Sequence, residues 1–132
     1  MQQRHVEELI QAALEVRKQA HAPFSHFLVG AALLDADGKI HTGCNVENAT
    51  YGLTVCAERV AVFKAISEGA RKFTAIAIAA DSDSLTPPCG ACRQILWEFC
   101  GDIPVTLVNL RGASETLQLK ALFPRAFDAT FL

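Results

Sequence analysis

Five cysteines draw attention in this chain, and their spacing decides which of them do chemistry. Cys89 and Cys92 lie at i and i+3 directly after Pro87-Pro88. A helix opening there sets the two thiols one turn apart on one face. Cys56 stands upstream in Cys56-Ala57-Glu58, a thiol with a carboxylate two residues on. A structural zinc site is closed by four protein ligands, whereas a catalytic one uses three and keeps a position for water. Three placed thiols, no matching fourth ligand and a neighbouring glutamate describe an open, hydrolytic zinc site. Cys56, Cys89 and Cys92 are its expected ligands, with Glu58 as a proton carrier that is not itself a ligand. A lone Cys-x-x-Cys also serves redox pairs and structural metals, but a thioredoxin-like pair follows the first strands of its fold and this one comes late. His5, His21, His26 and His41 fall outside these segments, and Cys44 and Cys100 lack ligand spacing, so both read as inert core thiols.

Three thiolates around Zn²⁺ leave a net negative charge, which weakens the ion as a Lewis acid. Both ligand-bearing segments are expected at helix N-termini, where the helix dipole and free N–H groups offset that charge. Arg59 and Gln94 are polar neighbours able to donate hydrogen bonds to the thiolates.

Holding these groups together requires a scaffold, and the hydrophobic pattern supplies one. Residues 3–21 carry Val6, Leu9, Ile10, Ala13, Leu14 and Ala20 at helical spacing, ended by Pro23. Residues 27–34 and 39–45 read as strands joined by Asp35-Ala36-Asp37-Gly38. Residues 55–68 read as a helix stopped by Gly69, with Thr54 as its N-cap. The apolar run 73–80 suits a strand covered on both faces. Residues 89–100 form the next helix, with Ile95, Leu96, Phe99 and Cys100 inward, before strands at 104–110 and 115–118 and a short helix with a tail over 119–132. The order α-β-β-α-β-α-β-β-α predicts an α/β fold, a three-layer α/β/α sandwich around a five-stranded mixed sheet, in a single domain over 1–132. Both chemical clusters open helices, where ligand sites form in open α/β sheets.

Composition narrows the rest. The chain has 132 residues, 51% of them hydrophobic, and a formal charge of −2. Its mean hydropathy is +0.23 and its pI about 6.0. Such a chain has ample core material and no basic footprint for nucleic acid. Its apolar stretches are too short to span a membrane, and no export signal opens it. An odd cysteine count without such a signal points to a reducing compartment, so the expected location is the cytoplasm.

At this point the residues resemble a family. Cys56-Ala57-Glu58 with Pro88-Cys89-Gly90-Ala91-Cys92 is similar to the zinc deaminase pattern. More narrowly, the chain resembles the small, homotetrameric, all-cysteine cytidine deaminases. The likeness runs through Ala22-Pro23-Phe24-Ser25, Val29-Gly30-Ala31-Ala32, Gly43-Cys44-Asn45-Val46-Glu47-Asn48, residues 54–69 and residues 88–94. The resemblance implies hydrolytic deamination of cytidine and deoxycytidine in pyrimidine salvage, with one Zn²⁺ per subunit. It assigns zinc to Cys56, Cys89 and Cys92, and proton transfer between water, the pyrimidine N3 and departing ammonia to Glu58. Asn45 and Glu47 would hold the ribose 3′-hydroxyl, while the Ala57 backbone and Glu58 read the base. Phe27 would pack against the pyrimidine, and Phe127 would enter the site of a neighbouring subunit. Arg59 and Gln94 would temper thiolate charge. The chain departs from relatives at Leu122-Phe123-Pro124, where they often have Leu-Leu-Pro, and Phe123, Phe127 and Phe131 share the i+4 spacing of plain core packing.

Three rival readings stay in view. A polynucleotide deaminase needs basic grooves, yet 12 basic residues face 14 acidic ones, and Glu47 at the sugar repels a phosphodiester. A deaminase of an aminoacyl-nucleoside antibiotic shares the zinc motif, but Asn45-Val46-Glu47-Asn48 favours the ordinary nucleoside. A non-enzymatic zinc module has no use for three ligands and Glu58.

Overall fold

A computed structural model describes residues 3–132. Its elements in chain order are α1 (Gln3–Arg17), β1 (Val29–Asp35), β2 (Ile40–Cys44), α2 (Ala57–Ser67), β3 (Phe73–Ala80), α3 (Gly90–Cys100), β4 (Pro104–Val108), β5 (Ser114–Gln118) and α4 (Leu119–Leu122). Short 3-10 turns cover Tyr51–Leu53 and Ala129–Phe131. The five strands form one sheet in the order β2-β1-β3-β4-β5. β3 and β4 run parallel and the other pairs antiparallel, so the sheet is mixed as expected.

Strand alternation assigns each face. On one side Ala32, Leu34, Ala75, Ala77, Ala79 and Val108 pack with Leu9 and Ala13 of α1. On the other, Ala31, Leu33, Ile76, Ile78, Val105 and Leu107 pack with Ala61 and Val62 of α2 and Leu96 of α3. Each fully buried Leu or Ile contributes about 1.5–3 kcal/mol. Small residues set the spacing between layers. A Cβ on Gly30 would lie 2.1 Å from the Ala13 carbonyl oxygen, and one on Gly43 would lie 2.4 Å from the Ala61 nitrogen. Each helix therefore rests directly on strand backbone.

Several local expectations are corrected. α1 stops at Arg17, followed by a turn through Lys18 and Gln19, which lets His21 pair with Val46: the His21 N–H donates to the Asn45 carbonyl at 3.0 Å and the His21 carbonyl accepts the Glu47 N–H at 2.8 Å. Thr54 does not cap α2. Cys56 occupies that position, while the Thr54 hydroxyl accepts the Asn48 N–H at 3.1 Å. α3 likewise begins one residue after Cys89, its N-cap. Phe99 is not inward: it is 41% exposed and meets Phe63 edge-on at 6.4 Å.

Candidate metal centre and active site

The sheet brings the two chemical clusters together from 33 residues apart: Cys56 Sγ lies 3.8 Å from Cys89 Sγ. The Sγ atoms of Cys56, Cys89 and Cys92 all lie within 4.8 Å of one another. Cys56 and Cys89 have extended backbone at the caps of α2 and α3, and Cys92 sits buried in the first turn of α3. The donor set fits zinc, which prefers thiolates and in catalytic sites takes three protein ligands. The charges fit as well. Without metal, the Cys56 thiol is pulled down to about 5, first by the Cys92 thiol's hydrogen bond and then by Arg59, against the opposing effect of burial. The bond to Cys56 and burial push Cys92 upward. One thiolate is thus shared by a cluster of sulfurs, an arrangement that a divalent cation completes by displacing the remaining protons.

Arg59, in the first turn of α2, donates Nη2 to Cys56 Sγ at 3.6 Å and to the Thr54 carbonyl at 3.4 Å. Its Nε is buried with no hydrogen-bond partner among the described residues, a cost accepted beside the thiolates. Gln94, the other expected thiolate donor, instead gives Nε2 to the Phe127 carbonyl at 2.8 Å. In this structure it ties the C-terminal tail to α3.

A cavity of about 270 Å³ opens beside the thiols. Cys56, Cys89 and Glu58 line it together with Phe27, Val29, Asn45 and Glu47. Small-molecule sites occupy roughly 300–1,000 Å³, so this one holds a single compact ligand. Glu58 is 5% exposed, and burial pushes its carboxyl up to about 7, where it can both accept and donate a proton. Asn45 and Glu47 both grip the segment preceding β1. Asn45 Oδ1 accepts the Val29 N–H at 2.9 Å and its Nδ2 donates to the Phe27 carbonyl at 2.8 Å. Glu47 Oε1 accepts the Phe24 N–H at 2.9 Å. Ser25, Thr54, Thr86 and Pro87 also line the cavity. No motif logic selected them as site residues, although Ser25 and Thr54 lie in stretches with family likeness.

Phe127 does not line this cavity: it is 57% exposed and stacks on Phe131 at 5.6 Å. Cys100, under burial, is pushed up to about 12, and burial also raises Cys44. Both are half-buried and outside the sulfur cluster, as inert thiols should be. His41 is buried between Asp35 (2.8 Å) and Glu68 (3.0 Å), far from ligand duty.

The cytidine and deoxycytidylate deaminase zinc-binding region matches residues 3–107. The chain belongs to that deaminase family. The matched region of this deaminase chain includes both helix starts that carry the thiols and excludes the Phe127 tail. A cytidine deaminase of Sporosarcina psychrophila is 52% identical over 124 residues, covering 93% of this chain and 91% of that protein. A probable cytidine deaminase of Dictyostelium discoideum is 53% identical over 129 residues, covering 97% and 87%. The crystal structure of a Burkholderia pseudomallei cytidine deaminase superposes with a TM-score of 0.89 at 45% identity, covering 96% of this deaminase and 100% of that chain.

Proposed function

We propose that the chain catalyses hydrolytic deamination of free cytidine and deoxycytidine to uridine and deoxyuridine with release of ammonia, a step of pyrimidine salvage. The observation that carries this reading is a cluster of three thiols beside a compact cavity that is also lined by the buried Glu58. Cys56, Cys89 and Cys92 hold the zinc, which when bound supplies the Lewis acidity that makes water nucleophilic near neutral pH. Glu58 takes the proton of the attacking water and delivers it to N3 of the pyrimidine. With the water oxygen now bonded to C4, Glu58 takes the second proton from that hydroxyl and passes it to the amine as the C4–N bond breaks, which leaves the C4 carbonyl and ammonia. The Ala57 backbone and Glu58 orient the base, Phe27 packs against its ring, and Asn45 and Glu47 accept the sugar. Arg59 damps the charge on Cys56.

The carboxylate of Glu47 in the cavity supports a nucleoside over a nucleotide or polynucleotide, whose phosphate it would repel. The exposed Phe127, Phe131 and Leu132 support a second copy as the partner of the tail. We read the assembly as a homotetramer in which Phe127 completes a neighbour's site. The odd number of cysteines, all free, supports a cytoplasmic location, and no described helix is long and apolar enough to cross a membrane.

Purified, zinc-loaded protein incubated with cytidine will show loss of the cytidine ultraviolet band and release of ammonia. No turnover at full zinc occupancy overturns the reading, and faster turnover of cytidine monophosphate or an oligonucleotide overturns the choice of substrate. A monomeric active enzyme on sizing overturns the role of Phe127.

A further inference from the structure

The carboxylate of Glu47 is heavily engaged before any substrate arrives. Oε1 accepts the N–H groups of Phe24 at 2.9 Å and Ser25 at 3.1 Å, and Oε2 accepts the Ser25 hydroxyl. The same Ser25 oxygen accepts the Phe27 N–H at 3.1 Å. A carboxylate offers about four acceptor positions, so three donors from one loop leave about one for a ligand. Between Ser25 and Phe27, His26 holds φ at +59°, the sole non-glycine residue with positive φ among the described residues. Its N–H donates to the Ala22 carbonyl at 3.0 Å. A left-handed histidine persists only where its surroundings over-determine it, and here those surroundings are the grip of Glu47 and Asn45 on residues 24–29.

We propose that Ser25 is a positioning residue for sugar recognition, acting through Glu47. This rests on the nucleoside deaminase reading above. The Ser25 hydroxyl fixes Oε2 so that the remaining acceptor position of Glu47 meets the 3′-hydroxyl. Through its bond from the Phe27 N–H, it registers that carboxylate against the aromatic wall. Ser25 and Glu47 both line the cavity, so the relay lies along its surface.

The test is the ratio of kcat/KM for cytidine to that for 3′-deoxycytidine, which has no hydroxyl to offer Glu47. Ser25→Ala lowers this ratio about tenfold, the scale of one hydrogen bond to a charged group, and the loss falls mainly in KM. Ser25→Thr restores it to within about threefold. In a Glu47→Gln background, Ser25→Ala moves the ratio no further. An unchanged ratio in Ser25→Ala, with or without a general loss of activity, overturns the proposal, as does a further drop in the Glu47→Gln background. Where Ser25→Ala does not fold, Ser25→Cys provides the same comparison with a weak donor. A wild-type protein inactive on cytidine at full zinc occupancy overturns the deaminase reading. The Ser25 inference is then judged separately by calorimetric affinities for uridine and 3′-deoxyuridine, whose ratio in the wild type must exceed that in the variant.

Discussion

Replacing Gly43 by alanine tests how closely the layer spacing sets the metal centre. A Cβ on Gly43 would lie 2.4 Å from Ala61 N, 2.6 Å from the Ala57 carbonyl oxygen and 3.0 Å from Ala61 Cα. All three are backbone atoms of α2, so no side chain can swing aside. Restoring ordinary contact at about 3.5 Å moves α2 back by roughly 1 Å. Ala57 opens that helix and Cys56 caps it, so the displacement reaches one thiol and Glu58, whereas Cys89 and Cys92 travel with α3. Zinc–ligand distances tolerate about 0.2 Å. Overpacking costs about 1–3 kcal/mol, a fall in Tm of roughly 3–12 °C for a chain of this size. A 1 Å misplacement costs on the order of a hundredfold in rate. Gly30→Ala is the control, since its Cβ would meet Ala13 and Arg17 of α1 on the opposite face. Thermal melts, zinc titration with a chromophoric chelator and cytidine kinetics on both variants give the comparison. Gly43→Ala should lose stability, zinc affinity and kcat/KM together, while Gly30→Ala loses stability alone. A Gly43→Ala protein with wild-type zinc affinity and kinetics, or equal activity losses in the two variants, refutes the reasoning.

Four further outcomes are expected. Glu58→Gln keeps the buried shape but carries no proton to transfer, so kcat falls by about 10²–10⁴ with zinc content and fold preserved, as measured by metal analysis and circular dichroism. Chelation abolishes activity and lowers Tm because three thiols crowded within 4.8 Å lose their shared cation, and added zinc restores both. Cys100→Ser, outside the cluster, retains zinc in the same assay. Finally, the His41 hydrogen bond holds the Asp35 carboxyl below its ordinary 3.8. A depressed folded value adds stability above the ordinary value, and that stability is lost as pH falls through the folded one. The Tm gap between wild type and Asp35→Asn therefore narrows as pH drops below about 4, and a gap that widens contradicts the sign.

Legibility differed residue by residue. The β3 strand, Phe73–Ala80, ran to the ends that its apolar pattern predicted, because burial on both faces leaves little ambiguity. The ends of α1 and the cap of α2 were missed, since loop contacts decide them and periodicity does not. Phe99 has the helical phase of a core residue and yet is exposed, its ring meeting Phe63 of α2, itself exposed, rather than the sheet core. Gln94 sits one position from Arg93 and two from Cys92, and nothing in that spacing foretold its bond to the tail.

From the sequence alone came the three thiols that the fold positions to hold a metal ion, and the expectation that Glu58 is their proton carrier. Thiolate chemistry and helical pitch are local properties, readable wherever Cys-x-x-Cys and Cys-x-Glu occur. The tertiary structure alone decided that Cys56 meets Cys89 across the sheet and that Arg59 reaches sulfur. It also decided that Ser25 and Glu47, 22 residues apart, form one hydrogen-bonded unit. Those pairings depend on strand order and on layer spacing set by glycines, and such distances arise only when the whole core closes.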